Sequence, residues 1–167
     1  MFVWALDLIR VFRAKRAATS RIAPLVEGSK RRLGGIPEFA WCDPYLIGFT
    51  IMLITIAAKS TSRRLDDNAL CLAQEQAWKC ITCRPFDSVG ERVLLLSREN
   101  NPDFARGCQT AHEFGSLFDD DQHHSTTLIT FPESCSDDES DTVQTWISAF
   151  DAHIQRFSAG YTVAPTE

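Results

Sequence analysis

Cys80 and Cys83, in the stretch WKCITCRP, stand at C-x-x-C spacing and are the first residues of this chain that could do chemistry. After a gap of 24 residues, Cys108 and His112 follow at C-x3-H spacing. Zinc takes four soft or borderline ligands in a tetrahedron, and three thiolates with one imidazole form a common structural set. Residues four apart lie one above the other on a helix, so Cys108 and His112 can address one ion. The metal-site candidate is therefore Cys80, Cys83, Cys108 and His112, with zinc as the cofactor.

A plainer reading competes with it and is preferred, in which there is no cofactor. Cys80 falls on the apolar stripe of its predicted helix and Cys108 lies centrally on another, where a free cysteine is normally a small buried hydrophobe. No second C-x-x-C is present, and no glycine follows the first to shape a metal-binding turn. A redox role ranks lower still. Nucleophilic C-x-x-C thiols sit at helix N-termini, where the dipole stabilises thiolate, and this pair is predicted at a helix C-terminus.

His123 and His124 lie beside Asp119, Asp120 and Asp121, a mixture that can hold a divalent ion. Metal sites need ligands fixed by a second shell, so a solvated acidic turn is the favoured reading. His112 and His153 flank the apolar stripes of their helices and are read as core-boundary residues. Neither has a serine, cysteine or carboxylate spaced to complete a triad. No Gly-x-Ser-x-Gly, glycine-rich phosphate loop or His-Glu-x-x-His occurs, which disfavours familiar hydrolase, nucleotide-dependent and zinc-protease mechanisms. Catalytic residues are therefore unassigned, and an enzyme whose groups converge only in space is the third possibility.

These residues must be positioned by helices. Phe2 to Ala18 is amphipathic, with Trp4, Ala5, Leu8, Ile9, Val11 and Phe12 covering about half its circumference. Ser20 is expected to cap a second short helix, which Gly34-Gly35 ends. Asp43-Pro44 opens an apolar helix over residues 44–58, whose uncharged run of 14 residues falls short of the ~20 that span a bilayer. It reads as a buried central helix. Asp66 caps a helix over 67–82, with Leu65 and Leu70 as a hydrophobic staple. Ser-Val-Gly-Glu (88–91) has the capping-box pattern, Asn101-Pro102 opens a helix over 102–118, and Val143, Trp146, Ile147, Phe150, Ile154 and Phe157 mark a last helix over 141–157. Between these two, the acidic segment 119–140 has no helical period. Residues 125–131 within it would suit a lone strand. The expected fold class is all-α, a bundle of five or six helices around helix 44–58.

Charge divides the chain. Residues 1–32 carry eight Lys/Arg against Asp7 and Glu27, a net +6, and the remainder carries −11, for the total of −5. The expected organisation is a basic amphipathic segment (1–33), a helical core domain (36–158) and a tail (159–167). Composition with 44% hydrophobic and 23% charged residues is that of a globular domain. Six cysteines are too sparse for a disulfide scaffold, and Asp7 interrupts the first apolar run, so a cytoplasmic location is expected.

The basic head can dock on protein, on an anionic membrane surface or on nucleic acid. Net acidity and the lack of a DNA-reading motif disfavour nucleic acid. The size of the apolar face favours protein over membrane. The expected function is thus a non-catalytic helical interaction or dimerisation module. Its partner is a second copy, a homodimer through the N-terminal helix, or another protein. A zinc-binding protein is the alternative.

Overall fold

A computed structural model describes residues 3–61, 65–116 and 137–160, and among them the chain is an all-α bundle with no strand. Helix α1 (Val3–Leu33) leads through a 3-10 turn (Glu38–Cys42) into α2 (Pro44–Thr61). Then come α3 (Asp67–Thr82), α4 (Asp87–Arg98) and α5 (Pro102–Gly115). Finally α6 (Asp137–Trp146) passes through a π-helical turn (Ile147–Asp151) into α7 (Ala152–Gly160).

The central position expected for helix 44–58 is found. Helix α2 packs on α1, α3, α4 and α5, and 61% of it is buried. It is also the one described helix long and apolar enough to cross a membrane. Its start is set locally, because the Asp43 side chain accepts a hydrogen bond from the Leu46 amide at 3.0 Å. Asp66 caps α3 through the Ala69 amide at 2.7 Å, and Asn101 caps α5 through the Asp103 and Phe104 amides, both at 3.1 Å.

The tightest packing joins α2 to α5 through glycine. A Cβ on Gly107 would lie 2.1 Å from the Tyr45 carbonyl oxygen, and one on Gly48 would lie 2.4 Å from that of Phe104. Both backbones therefore touch, which no side chain would permit. Around this seam lies an aromatic core, in which Trp146 stacks on Phe150 at 4.6 Å and Phe49 lies 5.5 Å from Trp146.

Three boundaries differ from expectation. The N-terminal segment is one helix and not two: Pro24 lies inside α1, and the Ser20 hydroxyl bonds back to the Ala17 carbonyl instead of capping a new start. Proline inside a helix costs about 3 kcal/mol. The buried stripe Val11, Ala14, Ala18, Ile22, Val26 and Ser29 runs straight past it, and that packing outweighs the cost. Residues 18–26 of this stripe belong to the same buried core as α2. Helix α4 begins at Asp87 with Phe86 at its N-cap, so Ser88 lies within the helix and not at the N-cap position. The last helix begins at Asp137, inside the segment expected to be irregular. The rest of that segment, including residues 125–131, His123, His124 and Asp119–Asp121, lies outside the described residues.

Candidate functional site

Helix geometry separates the proposed metal ligands. Cys80 is in the last turn of α3 and Cys83 caps it, and both line a groove between α3 and α1. Cys108 is on α5 and directs its thiol to the Gly48 carbonyl of α2 at 3.6 Å. Burial pushes the Cys108 thiol up, away from the thiolate that a metal would need. His112 is exposed further along α5. The four do not come together, and among the described residues no group of three or more His, Cys, Asp or Glu is placed to hold a metal.

Core packing of Cys80 is also corrected. Cys42, Cys71, Cys80 and Cys83 are exposed, and Cys108 is half-buried. The buried stripe of α3 is Ala73, Ala77, Trp78 and Ile81. The bulk of Trp78, fully buried, sets which face turns inward and leaves Cys80 outside.

The structure instead assembles two polar clusters on either side of the π turn. In the first, His153 of α7 places Nε2 3.0 Å from Asp43 Oδ1 at the start of α2. The carboxylate can only accept, so Nε2–H donates. The His153 ring stacks on Tyr45 at 4.1 Å, and the guanidinium of Arg106, on α5, lies 5.4 Å from the Tyr45 ring. The Tyr45 hydroxyl donates to the Ala149 carbonyl at 3.2 Å, within the π turn. Burial pushes the Asp43 carboxyl up, but hydrogen bonds from His153 and from the Leu46 amide more than offset it. Asp43 therefore titrates below the usual aspartate range.

In the second cluster, Asp151 and Ser29 are both buried. The Ser29 hydroxyl donates to Asp151 Oδ1, and Arg32 Nε donates to Asp151 Oδ2 at 2.6 Å. The Trp146 indole N–H donates to Ser29 Oγ at 2.8 Å. This cluster fixes the π turn to the C-terminal half of α1. The extra residue in a π turn changes the angular relation of the residues that flank it. Asp151 meets α1 while His153, two residues on and so on the opposite side of the helix, meets α2.

Chemically, Asp43–His153 is an acid–base pair in which the carboxylate orients the imidazole. The pair joins residues 110 positions apart. It acts as a clamp between α7 and α2. Asp43 was readable from sequence as a helix cap, but not as the partner of a residue 110 positions away. Asp151 and Ser29 were missed. The available signals were a carboxylate next to the stripe of the last helix and the continuation of the α1 stripe to Ser29.

A third feature lies at the surface. Leu8, Ile9 and Phe12 of α1 are 49%, 50% and 59% exposed. They line an apolar groove of about 500 Å3 with Val11, Arg13 and Gln76. Beneath this face, Val11 and Ala14 share a buried cluster with Ala58 and Ala73, against which Leu65, Ala69 and Leu70 pack.

Comparison of the chain with models of known protein families, with curated protein sequences and with solved structures finds no match.

Proposed function

We propose that this protein is a helical interaction module that forms a homodimer through the N-terminal third of α1. The observation that carries this reading is the exposure of Leu8, Ile9 and Phe12 on one helix face, beside a stripe that is fully buried. Clustered apolar side chains of this size are costly to leave in water and mark association surfaces. A second copy is the favoured occupant because the basic start of α1 can meet the acidic remainder of another copy. Arg13 and Arg16 line the apolar groove, and the rest of the chain carries the net negative charge. A two-fold contact needs a self-complementary surface.

Removing residues 1–32 would not test this, because Ile22 and Val26 are core residues and the remainder would lose them. Substitution at the surface does. Sedimentation of the full chain should show a concentration-dependent dimer, and Ile9→Glu with Phe12→Glu should give a monomer of unchanged helicity. A wild-type chain that stays monomeric throughout the micromolar range overturns the reading.

A further inference from the structure

Cys80 and Cys83 have a geometry that suits a bond to each other. In an α-helix, positions three apart have Cα atoms separated by about 5 Å, from the rise and radius of the helix. Disulfides join Cα atoms about 4.4–6.8 Å apart. Residues 81 and 82, which fix this separation, are helical. Cys83 itself adopts the left-handed conformation, φ 59° and ψ 26°, which is normally the place of glycine or asparagine at a helix end. Both cysteines are exposed and line the same groove of about 490 Å3. Glu27, Lys30 and Arg31 of α1 border this groove, with Glu27 paired to Lys30 at 3.3 Å, which leaves it a net charge of +1.

We propose that Cys80 and Cys83 are a thiol–disulfide exchange pair that forms an internal disulfide with small-molecule disulfides of the glutathione class. The thiolate of one cysteine attacks a sulfur of oxidised glutathione. That S–S bond breaks, a protein–glutathione disulfide forms, and one glutathione thiolate leaves. The second cysteine's thiolate then attacks the protein sulfur of the mixed disulfide and expels the other glutathione. Two protein thiols are oxidised and one oxidised glutathione becomes two glutathione thiols, which take up the two protons. The pair lies at the carbonyl end of α3, so no helix N-terminus stabilises its reduced form. This separates it from strongly oxidising C-x-x-C pairs, whose reduced thiolate is so stabilised, and fits a pair that is held oxidised once closed. The proposal is independent of the dimer reading above.

The test uses the full chain in glutathione buffers of increasing oxidised fraction, quenched with iodoacetamide and digested with trypsin. Cleavage after Lys79 and Arg92, with Arg84 protected by Pro85, leaves both thiols on one peptide. That peptide is expected to become unalkylated and two hydrogens lighter, reversibly with dithiothreitol. It should do so at an oxidised-glutathione concentration about tenfold or more below that which modifies the equally exposed Cys42 and Cys71, because the second step is intramolecular. Cys80→Ser and Cys83→Ser should each abolish the lighter species and leave the remaining cysteine carrying glutathione, with unchanged circular dichroism. A peptide that stays fully alkylated while Cys42 or Cys71 is modified, or that carries glutathione on both cysteines, overturns the proposal.

Discussion

Asp43 carries two duties at one carboxylate, capping α2 and holding His153, and its titration follows from both. Its folded pKa lies below the ordinary 3.8, so the unfolded chain binds the proton more readily. The stabilisation is therefore complete above about pH 4 and is lost as pH falls through the lower folded value. Asp43→Asn keeps a capping oxygen but no charge. Denaturant titrations should find it less stable than wild type at neutral pH, by about 1–3 kcal/mol for a charged hydrogen bond. The gap should narrow below pH 4. Cys83 gives the opposite sign. Its left-handed backbone costs an ordinary side chain about 1 kcal/mol, so Cys83→Gly should raise stability by roughly that amount under reducing conditions. A loss of stability would show that the thiol makes a compensating contact.

At the scale of elements, the α2–α5 seam depends on two missing side chains. Gly107→Ala forces a methyl against the Tyr45 carbonyl and the Phe49 amide, 2.1 and 2.9 Å away, both backbone atoms that cannot rotate aside. The helices must separate, at a cost of about 3 kcal/mol. Thermal unfolding should fall by roughly 6–12 °C for a chain of this size. The π turn is held just as specifically. Ser29→Ala removes the partner of both Asp151 and the Trp146 indole, leaving two buried polar groups short of a bond. It should cost about 2–3 kcal/mol by denaturant titration.

Element by element, what the sequence disclosed was what local chemistry decides. The caps at Asp43, Asp66 and Asn101 were readable because each acts within three residues. The division of α1 at Ser20 was misread because Pro24 is a strong local signal, and tertiary burial on both sides of it prevails. Cys80 was assigned to the core because hydrophobic periodicity alone cannot tell that Trp78 claims the inward direction. The Asp43–His153 and Ser29–Asp151 pairs join residues more than 100 positions apart, and no spacing rule reaches that far.

For the whole molecule, the unequal distribution of charge has consequences that no single contact shows. The basic residues from Arg10 to Arg32 lie within α1, whose inner face is core, so this charge is held against the bundle and not on a free arm. If the dimer sets Arg13 and Arg16 against acidic residues of the second copy, screening should weaken it while the apolar centre should not respond. Sedimentation in rising salt, from about 0.05 to 0.5 M, should show partial but not complete dissociation as the Debye length shrinks to a few ångströms. Full salt insensitivity would place the partner contact elsewhere on the surface.

The hydrogen bond from the Trp146 indole to Ser29 also gives the protein a built-in optical reporter. Trp41, Trp78 and Trp146 are all buried in one core, and Trp146 alone among them stands on the C-terminal helical segment. Its emission should be blue-shifted while that segment is seated on α1 and should move to the red when it undocks. A chain keeping only Trp146, with phenylalanine at the other three positions, would separate release of the C-terminal segment from unfolding of the remaining helices.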